Sequence, residues 1–168
     1  TTRYSGDAGI KMSLWNKLLM SIKNLDARLL ISEYITSDSK LLVNRNIIDR
    51  AKKIMPDLLY DEEPYLIISD EGKQIWVLDA YTVSNEYPYA QRTTINVGED
   101  KKEINYIRNS VKVLIDPYNG TVDFYIMDKT DPVVMAYQNI YTNVFKDGDT
   151  IQKSVSSHFV YSEYLYNV

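Results

Sequence analysis

The sequence predicts an α+β fold: a mainly antiparallel sheet built from two β-hairpins, with helices packed on one face. Three observations predict it. Apolar residues recur at helical spacing before Pro56, short β-branched and aromatic runs take over after Pro64, and two turn clusters containing Asp and Gly divide those runs. Helices and hairpins come in blocks and do not alternate as βα units, which separates α+β from α/β.

Ser13 is placed to cap a helix carrying Leu14, Trp15, Leu18, Leu19, Ile22, Leu25 and Leu29. Its polar face holds few Lys or Arg, so the apolar stripe is expected in a core and not on a membrane surface. A second helix is expected from Asn46 to Met55, with Pro56 ending it. Tyr65 to Ser69 and Gln74 to Tyr81 form the first hairpin around Asp70-Glu71-Gly72. Val83 to Glu103 is polar and expected to contain a long loop. Val111 to Ile115 and Thr121 to Met127 form the second hairpin, centred on Asp116-Pro117-Tyr118-Asn119-Gly120, where Pro and Asn-Gly supply the turn angles. Val122, Phe124 and Ile126 alternate with Asp123, Tyr125 and Met127, which predicts one buried and one wetter face. Asp131-Pro132 opens a further helix running towards Tyr141. The expected organisation is one domain over residues 1–150, with a C-terminal helix or arm, 151–168, packed on it.

Composition narrows the chemistry. Hydrophobic residues at 45% and charged residues at 25% are globular proportions. A chain of 168 residues buries roughly 70% of its unfolded surface and needs no disulfide or metal staple. The net charge is −4 and the basic residues are scattered, with Lys52-Lys53 and Lys101-Lys102 only as pairs, so nucleic acid is not an expected partner. The absence of cysteine excludes disulfides, thiolate zinc sites and a cysteine nucleophile. With His158 as the single histidine, zinc sites built on two or three histidines are impossible. A serine triad would have to use His158, which lies in a stretch without a nucleophile elbow; a surface or helix-end role is expected. No cofactor, metal site or catalytic residue is predicted. No run approaches the roughly 20 apolar residues of a membrane helix. The chain opens on Thr1 and not on Met, which reads as a piece of something longer.

Several strings carry a resemblance. "DAYTVSNEYPYAQ" (Asp79 to Gln91), "INYIRNSVKVLIDPYNGTVDFYIMD" (Ile104 to Asp128), Asp131-Pro132, the upstream "SKLLVNRNIIDRAKKIMPDLLYDEEPYLII" and the terminal "SSHFVYSEYLYNV" together resemble uncharacterised protein family 0182. Ser162 stands where that family usually has Pro, and Pro117 replaces a small turn residue. The resemblance implies a bacterial integral membrane protein with several N-terminal membrane helices and a large extracytoplasmic part, of which this chain is a piece. It therefore implies a place at the cell membrane, on the extracytoplasmic side, with the membrane helices of the parent chain as partners. It implies no established activity and transfers no catalytic residues.

Three sets of residues are candidates for a site. Tyrosine is abundant, with 15 residues. Tyr81, Tyr87 and Tyr89 surround the loop after the first hairpin, and Tyr87-Pro88-Tyr89 is a stiff aromatic pair. Such rings suit sugar stacking, a peptide groove or a protein interface, and equally suit packing of the loop onto the sheet. The carboxylates Asp57, Asp61, Glu62, Glu63, Asp70, Glu71, Asp79, Asp116, Asp128 and Asp131 could supply an acid–base pair or calcium ligands, but no EF-hand spacing is present and several flank turns or helix starts. Arg108, Asn109 and Ser110 form a polar run entering an apolar strand. Structurally, Arg108 would pair with Asp79 or Asp128 and hold the hairpins in register; functionally, Arg108 and Asn109 would capture an anion. The expected function is a non-enzymatic interaction or scaffolding module, engaging envelope polymer, a protein partner or further copies of itself. The alternative is a carboxylate-dependent enzyme acting on envelope glycan or peptide, whose mark would be two carboxylates facing each other in a tyrosine-lined cleft.

Overall fold

The computed structural model describes residues 4–98 and 100–167. The chain divides between Arg45 and Asn46 into two compact units. The stretch 151–168 falls within the second.

In the first unit, β1 (Ile10–Lys11) pairs antiparallel with β2 (Lys40–Leu41), and α1 (Leu14–Asn24) and α2 (Arg28–Ile31) lie between them in sequence. The Ser13 side chain caps α1 by accepting the Asn16 N–H at 3.3 Å. The helix stops short of the apolar period, because Leu25 takes a left-handed backbone (φ 53°) and its N–H turns back to the Ile22 carbonyl. The expectation that its stripe enters a core is overturned. Leu14, Trp15, Leu19, Ile22 and Leu25 are all exposed, and Ser21 is the buried residue of α1. Polar contacts decide which side turns inward. Ser21 Oγ donates to the Asp26 carbonyl at 2.6 Å, Asn16 Nδ2 to the Lys11 carbonyl at 2.7 Å, and Lys17 Nζ to the Ile35 carbonyl.

The second unit is α+β. It opens with α3 (Ile47–Ile54), whose Asn46 cap accepts the N–H groups of Ile48 and Asp49. Strands β3 (Leu59–Tyr60), β4 (Tyr65–Ile68), β5 (Gln74–Ser84), β6 (Thr93–Val97), β7 (Asp100–Ile104), β8 (Tyr106–Ile115) and β9 (Val122–Ile126) follow. Next come α4 (Pro132–Ile140), β10 (Phe145–Asp147), α5 (Lys153–Ser156) and α6 (Glu163–Asn167). The main sheet runs β10-β9-β8-β5, with β3 and β4 on successive stretches of the far edge of β5; every pair is antiparallel except β10 with β9.

Register explains the core. Leu78 and Ala80 lie opposite Val113 and Val111, which in turn lie opposite Phe124 and Ile126. This face packs on Ala51 of α3, on Met55 at its C-terminal end and on Val134 of α4. The opposite face, with Val77 and Ile67, is covered by Val155 of α5 together with Ile151 and Phe159. The longer helices thus share one face, and the C-terminal stretch takes the other.

Two stretches depart from expectation. The segment from Val83 to Glu103 is mostly strand: β5 extends to Ser84, and β6 and β7 pair as a hairpin whose Ile95 and Ile104 pack on Tyr81 and Leu59. Its loop is confined to residues 85–92. The polar outward positions of β6 and β7 conceal an alternation that supplies only two buried residues. The second departure is β8, which starts at Tyr106, so the Arg108-Asn109-Ser110 run lies inside the strand and not before it. At the far end of β8, Asp116 Oδ1 accepts the N–H groups of Tyr118 and Asn119, and Gly120 adopts φ 71°. Arg50 Nη1 donates to the Gly120 carbonyl at 2.6 Å, and its guanidinium lies where a Cβ would project. Both reasons require glycine there.

Candidate functional site

The pairing of β5 with β8 shifts register between Ala80 and Thr82: Ala80 lies opposite Val111, but Thr82 lies opposite Arg108. Asn109 and Ser110 therefore both stand against Tyr81, which is a β-bulge on β8. Its consequence is chemical. Arg108, Asn109 and Ser110, consecutive in sequence, each reach a different aspartate.

Ser110 reaches Asp131, which is fully buried. Asp131 Oδ2 accepts the hydroxyls of Ser110 and Thr82, each at 2.5 Å, while Oδ1 accepts the Tyr106 hydroxyl at 2.7 Å and the Val133 N–H at 2.8 Å. The last of these bonds caps α4. Burial pushes the Asp131 carboxyl up, but the donors (Ser110, Thr82, Tyr106 and the Val133 N–H) outweigh it and hold its pKa below the ordinary carboxylate value. The Tyr106 hydroxyl is in turn pushed up, by burial first and by its bond to Asp131 second.

Asn109 Nδ2 donates to Asp79 Oδ1 at 2.9 Å. The cation on Asp79 is not Arg108, as one sequence-level pairing proposed, but Lys112, and both members of that ion pair are buried. Arg108 pairs instead with Asp128. The Lys112 ammonium also donates to the Val160 carbonyl at 3.2 Å and lies 5.4 Å from the Phe159 ring centroid. The Asn109 carbonyl oxygen is buried without a hydrogen-bond partner. One of the two Asn109 amide N–H groups is thus committed to Asp79.

Arg108 Nη1 bonds Asp128 Oδ2 and Thr130 Oγ1, each at 3.0 Å. Bonds from the Thr130 hydroxyl and N–H, then the Arg108 charge, hold the Asp128 carboxyl below its ordinary value. This pair is well exposed, so its net contribution to stability is about 1 kcal/mol at most.

The candidate tyrosines separate. Tyr81 is fully buried and donates to Asp61 Oδ2 at 2.5 Å, with Ser162 Oγ bonded to the same hydroxyl. Burial first, and the Asp61 bond next, push its hydroxyl up. Tyr81 is thereby removed from any recognition surface: the alternation of β5 places it in the small core beside Leu59 and Ile104. Tyr87 and Tyr89 stay outside. Tyr87 is 45% exposed and stacks on Tyr106 at 4.8 Å with the rings 19° apart. Asn105 clips it from both sides, accepting the Tyr87 N–H at 2.9 Å and donating to its carbonyl at 2.8 Å. Tyr89 projects fully into solvent from a left-handed backbone, φ 60°. A bulky residue held in that conformation is uncommon and costs of order 1 kcal/mol or more. The Arg108 guanidinium lies 5.9 Å from the other aromatic partner, Tyr106. Tyr87, Tyr106 and Arg108 thus make a fixed aromatic–cationic surface at the end of the bulged strand pair, and Tyr89 adds an exposed ring two residues from Tyr87.

Two clefts indent the same unit. One, of about 710 Å³, lies at the hairpin tips between Tyr118, Tyr125, Asp116 and Lys73. The other, of about 670 Å³, is lined by Tyr60, Tyr137 and Tyr164 with Asp57, Glu62 and Lys102. His158 is at a helix end, its Nδ1 bonded to the Ser154 carbonyl at 2.8 Å. Among the described residues, no group of three or more His, Asp or Glu is arranged to hold a metal, and no helix is long and apolar enough to cross a membrane.

A family model described as "Uncharacterised protein family (UPF0182)" matches residues 1–168. The chain belongs to the UPF0182 family. A UPF0182 protein of Caldicellulosiruptor saccharolyticus is 48% identical over 166 residues, covering 99% of this chain and 17% of the relative. UPF0182 proteins of Clostridium novyi (48% over 163 residues, 97% of this chain, 17% of the relative) and Clostridium tetani (45% over 167 residues, 99% of this chain, 18% of the relative) are similar. The chain thus spans less than a fifth of the length of these relatives. No solved structure matches it.

Within this UPF0182 segment, sequence reasoning missed Asn105, Tyr106, Lys112 and Ser162. Lys112 alone left a signal: a lysine in the middle of the apolar run Val111 to Ile115 demands a buried partner. Ser162 lies 81 residues from Tyr81, and nothing local announces their bond.

Two outcomes follow from these buried charges. Lys112→Met will destabilise the unit by about 3–5 kcal/mol by stranding the Asp79 carboxylate, and adding Asp79→Leu will restore most of the loss; urea unfolding of the single and double variants checks this. Asp131 has a folded pKa below its unfolded value of about 3.9, so its contribution is full above that value and is lost as pH falls through the lowered folded value. Urea midpoints will therefore decline more steeply with acidification in the wild type than in Asp131→Asn, which starts lower at neutral pH.

Proposed function

We propose that this chain is a non-enzymatic interaction or scaffolding module on the extracytoplasmic side of a longer bacterial integral membrane protein. The observation that carries the interaction role is the surface formed by Tyr89, Tyr87, Tyr106 and Arg108. Three of its four side chains are held before any ligand arrives: Tyr87 by the Tyr106 stack beside its Asn105-bonded backbone, Tyr106 by Asp131, and Arg108 by Asp128. Rigid aromatic side chains flanked by a guanidinium are what binding hot spots are made of, because little ordering remains to be done on association. The UPF0182 resemblance supports the membrane-protein parent and the extracytoplasmic location, with the parent's membrane helices as partners within the chain. The ligand class this surface fits is envelope polymer or an envelope protein, offering sugar faces, peptide planes or carboxylates to the tyrosines and Arg108.

A second reading is favoured by the tyrosine-lined cleft, which brings Asp57 and Glu62 into one concavity with Tyr137 and Tyr164. A carboxylate pair in such a cleft is the minimum equipment for hydrolysis of a glycan. Tyr141 donates its hydroxyl to Asp57 Oδ2, which would orient that carboxylate.

The two readings separate by experiment. The chain is expected to cosediment with purified sacculi or to retain solubilised envelope protein, with affinity falling about tenfold or more in Tyr87→Ala/Tyr89→Ala at unchanged urea stability. Absence of binding to every envelope fraction overturns the interaction role. The enzymatic reading instead requires release of soluble fragments from sacculi that Asp57→Asn/Glu62→Gln abolishes and the tyrosine pair does not.

A further inference from the structure

We propose that α1 docks the first unit onto an anionic lipid surface. The helix is amphipathic in the ordinary way but turned inside out, with Leu14, Trp15, Leu18, Leu19, Ile22 and Leu25 on the exposed side. Its inward side is held by Ser21, Asn16 and Lys17 through hydrogen bonds to backbone carbonyls. A contiguous row of large apolar side chains, left outside by a helix that is itself well anchored, marks an interaction surface.

Charge selects the occupant. Residues 10–25 contain Lys11, Lys17 and Lys23 and no Asp or Glu. Residues 1–45 carry a net charge of +3, whereas residues 46–168 carry −7. Lys23 is one helical turn beyond Leu19 and Lys11 precedes the Ser13 cap, and both are exposed at the rim of the apolar row. Two copies meeting through this face would bring these lysines together with no carboxylate on the segment to receive them. An anionic bilayer answers both features: the leucines and Trp15 enter the boundary between headgroups and acyl chains, while the Lys11 and Lys23 ammonium groups at the rim remain with the lipid phosphates. The inference is independent of the aromatic surface, since it rests on the other unit and its variants leave Tyr87 and Tyr89 intact.

The test uses the 168-residue chain with Trp76→Phe, which leaves Trp15 as the sole tryptophan. With vesicles of mixed phosphatidylcholine and phosphatidylglycerol, the chain is expected to cosediment and its emission to shift to the blue, with weaker partition onto pure phosphatidylcholine. Leu19→Ser/Ile22→Ser is expected to lower partition about tenfold or more. Lys11→Glu/Lys23→Glu, with the apolar row intact, is expected to reduce binding of the mixed vesicles to the level of pure phosphatidylcholine. Far-UV circular dichroism confirms folding of each variant, and cosedimentation of the unsubstituted chain replaces the fluorescence arm if Trp76→Phe unfolds. Failure to partition onto the mixed vesicles overturns the proposal. So does equal binding to both lipids, or a dimer in light scattering that Leu19→Ser/Ile22→Ser dissociates.

Discussion

A carboxylate removed from water without a cation beside it must collect hydrogen-bond donors or take up a proton. Asp131 collects four, from β5, two positions of β8 and the first turn of α4. The positive end of the α4 dipole adds to them. An uncompensated buried carboxylate costs several kcal/mol, so these donors are required together and not one by one. That requirement sets where the bulge falls, because Ser110 must turn towards Asp131 while Asn109 turns to Asp79. It also sets the entry of α4, whose Val134 packs against the sheet, and the placement of Tyr106, on which Tyr87 stacks. A buried charge in this way determines the posture of an aromatic ring at the surface.

Three aspartates close to the bulge are stabilised by three different means. Asp131 has neutral donors, Asp79 has Lys112, and Asp61 has the hydroxyl of Tyr81. The last two also tie down the C-terminal stretch. Lys112 reaches the Val160 carbonyl, and Ser162 joins the Tyr81–Asp61 bond while accepting the Leu165 N–H. The stretch therefore covers the second face of the sheet through polar anchors at Val160 and Ser162 as well as through Val155 and Phe159. Ser162 thus supplies through its hydroxyl an anchor 81 residues from Tyr81.

Local chemistry was readable in the sequence wherever one residue determines its own surroundings. Ser13, Asn46 and Asp131 cap helices as their types require, and the Asp116 to Gly120 turn forms through the side chain of Asp116 and the free φ of Gly120. The pairing of Arg108 with Asp128 was one of two alternatives, and the geometry takes that one. What escaped was set by partners far away in the chain. The bulge exists because of how β8 lies against β5, and neither strand announces an offset. The β6–β7 hairpin buries only Ile95 and Ile104, so its charged outward positions read as loop. The aromatic surface was half legible: Tyr87 and Tyr89 were visible, but Tyr106, which stacks on Tyr87, was not.

Helix α1 shows most clearly what periodicity does and does not specify. Apolar residues at helical spacing establish that one side of a helix differs from the other. They do not establish which side faces the rest of its unit. In α3 the apolar side turns inward, with Ala51 buried against Met55 and Tyr60. In α1 three polar side chains find backbone carbonyls within the first unit, and the partly shielded bond of Lys17 to Ile35, with that of Asn16 to Lys11, resists rotation of the helix about its axis. Turning α1 over would bury the leucines but would strand Lys17 and break the Asn16 bond to the Lys11 carbonyl. The outward apolar row is thus an arrangement maintained by polar anchors, and a surface maintained in that way is available to be covered by something other than the first unit itself.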